Sequence, residues 1–351
     1  TIIIMITVDE FPGRAITIDG KDFLYFGGTA YLGLQTDSEF QSLFIDNIKK
    51  YGTSYSASRK SNIRISIFDK AESYLSNMVG SESCITMSSG YLAGQLVCDY
   101  FDNEDYKLYY APNTHSALFR GQQEVYESWQ QLETDILNDQ EKKQILFLDS
   151  IDFNGSNYPD YKALQKLPLE NIILVIDDSH GIGITGENGG GSFSNLQSLK
   201  PKELLVTCSL GKGFGVQAGA IFGRRSIIES LKETQFFGGS SPAIPAALAT
   251  LIDAQSIYSE KRDLLLRNTA LFLKNLANPF FFSASAGHPT FSFKNEQMAT
   301  FLEENGILVT NFHYPTEDDE LMSRIVLNSS HQKADILKLC KILNNSLIYN
   351  I

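Results

Sequence analysis

Short apolar runs alternate along this chain with longer amphipathic segments, a pattern that predicts strands and helices taking turns in a doubly wound α/β sheet. The strands are expected at Cys84–Met87, Lys107–Tyr110, Gln144–Asp149, Ile172–Asp177, Leu204–Ser209 and Ala218–Phe222. Helices are expected over Ser38–Lys50, Ile67–Val79, Tyr91–Tyr100 and Ser226–Glu233, with one long helix over Pro242–Leu276. Beyond Pro279 the pattern becomes strand, helix, strand, strand, helix, at His288–Phe293, Glu296–Asn305, Ile307–Thr310, Arg324–Leu327 and Gln332–Leu347. That is an α+β unit of its own, and the hairpin-like stretch Ile16–Tyr25 is expected to pack against it.

At 351 residues the chain has room for one large domain and a smaller one. With 43% hydrophobic and 20% charged residues it reads as globular and soluble. A net charge of −12 argues against nucleic acid as a partner, because a phosphate backbone needs clustered cations. Cys84, Cys98, Cys208 and Cys340 are scattered with no CxxC pair, which suggests reduced thiols in a cytoplasmic protein rather than zinc or disulfides. No run reaches the length of a membrane span. The apolar start Thr1–Ile6 lacks a basic flank and a small-residue cleavage site, so a strand or packed segment is expected there.

Candidate chemistry gathers at two strand ends. Asp177-Asp178-Ser179-His180 closes the apolar run Ile172–Ile176, and Ser209-Leu210-Gly211-Lys212-Gly213 follows the run Leu204–Val206. Two strands of one sheet would bring an acid and an amine to the same edge. Pyridoxal 5'-phosphate (PLP) chemistry needs that pair: a lysine for the Schiff base and an acid facing the pyridinium nitrogen. Standing alone, Gly211-Lys212-Gly213 would be a surface turn. A P-loop is excluded, since no glycine stands five residues before Gly211 and the residue after Lys212 is neither Ser nor Thr. Ser209 offers a hydroxyl for a phosphate beside a desolvated lysine.

Other positions have two readings each. Asp177 could cap a helix, although Asp178-Ser179 would serve as well. His115, in Asn113-Thr114-His115-Ser116, is either a helix-entry residue or an aromatic plate for a cofactor ring. Ser88-Ser89-Gly90-Tyr91 is either ordinary capping or an anion site at a helix N-terminus. The glycine-rich run Gly186–Ser192 reads as a turn with no helix start behind it. With five histidines and no HExxH or His/Cys cluster, no metal site is expected, at His180 or elsewhere.

In order along the chain these segments resemble the α-oxoamine synthases, a branch of the fold-type I PLP enzymes. Asp177 to Gly189 is similar to the family's D-[DE]-x-H-x-x-G-x-x-G-x-x-G segment, Ser209 to Gly215 to its lysine segment, and Ala30-Tyr31-Leu32-Gly33-Leu34 to its YLGL signature. Ser58-Arg59, Glu72, Thr114-His115 and Ser240 also fall where the family has similar residues. The resemblance implies the PLP-dependent transferase fold type I: a large domain with a mostly parallel seven-stranded sheet flanked by helices (residues 35–240), plus a small α+β domain built from both termini (1–34 and 241–351). It implies a homodimer with the active site at the interface, acting on an amino acid and an acyl-CoA with loss of coenzyme A and carbon dioxide. Lys212 would form the Schiff base, Asp177 would pair with the ring nitrogen, His115 would stack on the ring and His180 would bond its hydroxyl. Ser89, Gly90, Tyr91 and Ser209 would hold the phosphate, with Ser240 reaching over from the partner subunit. Arg324 would grip the substrate carboxylate, with Thr29 and Arg14 at the substrate side.

The sequence departs from the family at the substrate side. Thr29 stands where the family usually has Asn, the S-M-D-G-type loop is replaced by Ile151-Asp152-Phe153-Asn154-Gly155, and Phe68 lies near a missing histidine. An acid at Asp152 would repel a substrate carboxylate unless it points away. Aldol cleavage and transamination also use such a lysine, acid and histidine and remain alternatives. A binding protein built on the same fold is a third reading, which the retained Lys212 disfavours.

Overall fold

Two strands open the chain in the computed structural model, which describes residues 6–121, 123–139, 142–154, 156–314 and 316–346. Thr1–Met5, Gly155 and Leu347, parts of three expected elements, lie outside them. The strands are β1 (Ala15–Ile18) and β2 (Lys21–Phe26). Asp19 and Gly20 join them with φ of 49° and 75°, a two-residue turn whose twist matches the paired strands. Helices α1 (Ser38–Tyr51) and α2 (Ile67–Val79) follow.

The six apolar runs then become β3 (Ser83–Met87), β4 (Tyr106–Tyr110), β5 (Lys143–Asp149), β6 (Ile172–Asp177), β7 (Glu203–Ser209) and β8 (Gly219–Gly223). They form one mixed sheet in the order β3-β8-β7-β6-β5-β4. The four strands β4 to β7 are parallel, and β8 runs antiparallel to both neighbours. Among the described residues the sheet has six strands, not the expected seven; all six are those marked by apolar runs.

Helices connect these strands as a parallel sheet requires. They are α3 (Gly90–Phe101) after β3, α4 (Trp129–Asn138) before β5, α5 (Phe193–Ser198) before β7 and the single turn α6 (Leu210–Gly213) after it. Then come α7 (Arg225–Lys232) and α8 (Gln235–Gly239). Alternate strand residues Ile145, Phe147, Ile173, Val175 and Leu205 pack with Leu96, Val97, Ile228 and Leu231 of α3 and α7 in one buried core. β6 is buried along its whole length, which explains its unbroken apolar run. The helix α5 corrects the expectation that no helix follows the glycine-rich run Gly186–Ser192: Phe193 and Leu196 are buried and hold one short helix there.

The expected helix Pro242–Leu276 is two, α9 (Pro245–Asp253) and α10 (Gln255–Asn275). Ala254 leaves helical geometry, with ψ of 20°, and ends the first. The remaining elements are β9 (Thr290–Ser292), α11 (Glu296–Glu304), β10 (Ile307–His313), β11 (Leu321–Val326) and α12 (Lys333–Asn344). They make a five-stranded sheet in the order β1-β2-β10-β11-β9, so the N-terminal hairpin joins the C-terminal strands, with β2 parallel to β10. The chain divides into two compact units, one of Thr1–Gln41, Phe153–Gly155 and Ser256–Ile351, the other of Ser42–Asp152 and Ser156–Gln255. Among the described residues no helix is long and apolar enough to cross a membrane.

Candidate active site

In the larger unit the parallel strands β5, β6 and β7 end at one edge of the sheet, the edge where ligands of open α/β sheets bind. Asp177 is the last residue of β6, largely buried, and its Oδ1 accepts the backbone N–H of Ser179 at 2.8 Å. Asp149 ends β5 in register with it. Burial and then the charge of Asp177 push the Asp149 carboxyl well above the usual range, against the N–H of His115 and the ammonium of Lys212, which favour its charged form.

Lys212 sits in α6, whose first turn is capped by the Ser209 side chain. Its Nζ lies 2.8 Å from Nε2 of His180, in the turn after β6. Ser209 also donates its backbone N–H to Ser179 Oγ at 2.8 Å, which ties the lysine segment to the Asp177–His180 segment. His115 precedes a 3-10 turn, donates its backbone N–H to Asp149 Oδ1 at 3.1 Å and accepts the N–H of Ala117 at its own Nδ1. Its ring is therefore the tautomer with hydrogen on Nε2, fixed from below.

Ser89 is the N-cap of α3 and accepts the N–H of Leu92 at 3.1 Å. The N–H of Ala93 goes to Ser89 O, which leaves the first-turn amides of Gly90 and Tyr91 without helical partners. A Cβ at Gly90 would stand 2.6 Å from Ser209 N, so only glycine lets this helix start approach the lysine segment. Tyr91 itself is exposed. Ser240 follows α8 and donates its hydroxyl to Phe236 O at 2.6 Å.

Three supporting groups have contacts that the sequence did not show. Asp149 was visible only as a strand-ending acid. Asp178 is buried, accepts from Ser150 Oγ and from Ser192 N at 2.9 Å, and is pushed up to about 6 by burial. It fastens the loops after β5 and β6 to the glycine-rich run, where a Cβ at Gly191 would fall 2.0 Å from its carboxylate. The third is the ring of Phe68, which lies 4.1 Å below the guanidinium of Arg59. Arg59 bonds Glu72 at 2.7 Å, and Glu72 also accepts the N–H and hydroxyl of Thr86, all largely buried.

The expected substrate residues belong to the smaller unit. Arg324 lies in β11, and its guanidinium carbon is 3.8 Å from the centre of the Phe153 ring. Thr29 is exposed in the turn after β2. Arg14 makes a two-pronged ion pair with Asp335, at 2.6 and 2.7 Å, which gives it a structural duty. Asp152, in the larger unit, is taken up by its own loop, where it accepts the N–H of Ser156 at 3.2 Å and the Ser156 hydroxyl.

Residues 119–343 match the family model of class I and II aminotransferases. The chain belongs to that family. Within it the chain is 24% identical over 353 residues to an 8-amino-7-oxononanoate synthase of Petrotoga mobilis, covering 94% of this chain and 90% of the relative. It is 25% identical over 339 residues to a serine palmitoyltransferase of Sphingobacterium spiritivorum, covering 90% and 84%. A solved serine palmitoyltransferase holding PLP covers 96% of this chain and 91% of its own, with a TM-score of 0.81 at 17% identity, and shows the same fold. These relatives are α-oxoamine synthases, and the family depends on PLP.

The residues at the sheet edge fit that cofactor. Two amides at the start of α3, beside the Ser209 hydroxyl, suit a phosphate. The buried carboxylate of Asp177 has no ion-pair partner among the described residues, and a protonated ring nitrogen would supply one. Lys212 offers a primary amine at the same edge, the group a Schiff base with that cofactor would need.

Proposed function

We propose that this chain is a PLP-dependent α-oxoamine synthase that joins an amino acid to an acyl thioester. One carbon–carbon bond forms between the amino acid's Cα and the acyl carbon. The acyl C–S bond breaks to release the coenzyme A thiol, and the Cα–carboxylate bond breaks to release carbon dioxide. The observation that carries this reading is the contact of Lys212 Nζ with His180 Nε2 at 2.8 Å, at the same sheet edge as Asp177.

When bound, PLP supplies an electron sink for charge that develops at Cα. Asp177 holds the proton on the ring nitrogen, which that role requires. Lys212 provides the amine and moves the Cα proton, with His180 2.8 Å away to share it. His115 would be the plate for the ring, its tautomer set by Ala117 N. Gly90, Tyr91, Ser89 and Ser209 bind the phosphate. Arg324 receives the amino-acid carboxylate. We further propose a homodimer in which Ser240 contributes to the partner's cofactor site.

The relatives' names suggest two acyl-transfer reactions: that of an 8-amino-7-oxononanoate synthase, and that of a serine palmitoyltransferase, which joins serine and a palmitoyl group. The test is thiol release from each acyl-CoA by PLP-loaded protein. Release that needs both the amino acid and PLP, with one carbon dioxide per thiol, supports the reading. Transamination or aldol cleavage without any thioester would replace it.

A further inference from the structure

His115 sits on a loop, and a carboxyl at a strand end holds it there. The loop after β4, Ala111–His115, is fastened to the end of β5 at three points. Ala111 donates its backbone N–H to Phe147 O at 2.9 Å, the Thr114 hydroxyl donates to Phe147 O at 3.2 Å, and His115 donates its backbone N–H to Asp149 Oδ1 at 3.1 Å. Of the three, the last is the one that reaches His115 itself. Between these points Asn113 takes a φ of 64°, in the left-handed region that asparagine tolerates better than most residues. A loop bent in this way keeps its shape through the contacts that hold it.

Asp149 is the firmer side of its contact. It closes β5, which lies between β4 and β6 in the sheet, and its own carbonyl accepts Asn157 Nδ2 at 2.8 Å. The support therefore runs from the sheet to the loop, and a rigid element holds a group more exactly than a loop can hold itself.

The same carboxyl has an acid for a neighbour. Asp177 stands in register with it on the adjacent parallel strand, so both side chains leave the same face of the sheet. Two carboxylates so placed repel each other, and one of them keeps its proton more readily. Burial and then Asp177 push the Asp149 carboxyl well above the usual range, and Asp152 in the following loop adds to this, while the His115 N–H and the Lys212 ammonium act the other way. A protonated carboxyl still has an oxygen that accepts an N–H. The bond to His115 thus needs no charge on Asp149.

We propose that Asp149 is a positioning residue for cofactor binding: its acceptor oxygen, and not its charge, fixes the loop position of His115. This rests on the reading of His115 as the plate for PLP. The two acids at this edge then have different duties, charge balance for Asp177 and hydrogen-bond acceptance for Asp149.

The experiment measures the Kd for PLP, the visible circular dichroism of the bound cofactor and, without cofactor, the hydrogen exchange of the Asn113–Ser116 segment. Asp149→Asn keeps an acceptor oxygen in the same shape and removes the ionisable group. Asp149→Ala and Asp149→Leu remove the acceptor in two different sizes, so a folding failure of one leaves the other. Both are expected to speed exchange in that segment, to change the dichroism and to raise the Kd for PLP roughly 2- to 10-fold, the scale of one aromatic stacking contact. Asp149→Asn is expected to match the unmodified protein in all three readouts. His115→Ala should weaken PLP binding by itself, and adding Asp149→Ala to it should weaken binding no further, because two residues that act through one contact are not additive. An asparagine variant as impaired as the alanine one, an alanine effect that persists undiminished in the His115→Ala background, or unchanged exchange in the alanine and leucine variants overturns the proposal. If the unmodified protein takes up no PLP, the cofactor reading falls; if it takes up PLP and the alanine and leucine variants bind it equally well, only the positioning role falls.

Discussion

Lys212 Nζ and His180 Nε2 stand 2.8 Å apart, although 32 residues separate them in sequence. The contact exists because β6 and β7 are parallel neighbours and Ser209 N is tied to Ser179 Oγ. On the proposed function, that contact lets His180 share the proton that Lys212 would move. His180→Asn should keep the fold and PLP binding but lower turnover by roughly 10²-fold, the lower end of what a positioned acid–base group contributes. Stopped-flow and steady-state rates on the variant decide it, and an unchanged kcat would remove His180 from the proton path.

On the proposed function, Asp177→Asn removes the buried carboxylate that would balance the ring nitrogen. A loss of at least ~10²-fold in turnover is expected, the scale of removing one preorganised electrostatic partner. PLP affinity should fall less, because the proposed phosphate site at α3 and Ser209 is untouched. Near-normal activity would show that Asp149, in register on β5, takes the role instead.

The ion pair of Arg59 with Glu72 is a structural element. Glu72 accepts from Arg59, Thr86 N and Thr86 Oγ1 in a largely buried position. Glu72→Gln leaves a buried guanidinium without its counter-charge and should destabilise the protein by about 3–5 kcal/mol. A urea unfolding midpoint that hardly moves would contradict this.

The apolar runs made the parallel strands legible because both faces of the sheet are covered: Ile172–Asp177 is buried at every position. Helix α4 was missed because only Leu132 and Ile136 of its ten residues are buried, too few to raise a helical period above its polar positions. The break at Ala254 has no proline or glycine to announce it. Lys212, Asp177 and His180 were legible as a chemical set because their types and order are unusual together. Asp149, Asp178 and the Phe153–Arg324 stack were not. Their meaning comes from register and loop closure, which place Asp149 beside Asp177, Asp178 between Ser150 and Ser192, and Phe153 on a distant strand's arginine.

His331 gives the smaller unit a defined pH response. It is buried, stacks on Phe26 at 4.0 Å, accepts the N–H of Asn328 at Nδ1 and meets Tyr25 O through Nε2. Burial lowers its pKa from 6.5 to about 4. The unfolded chain therefore binds more protons than the folded one between pH 6.5 and 4, and stability falls as the pH drops through that window. The contribution is about 3 kcal/mol. Comparing unfolding free energies at pH 7 and pH 4 for the unmodified protein and His331→Gln should show a smaller drop in the variant by that amount. Equal drops would place the titration elsewhere.

The most direct measurement is chemical. Purified protein is loaded with PLP, reduced with borohydride, digested and mapped by mass spectrometry. The expected result is a single phosphopyridoxyl label on Lys212, absent from Lys212→Ala. A label on another lysine, or none at all, would contradict the assignment of Lys212 as the residue that carries the cofactor.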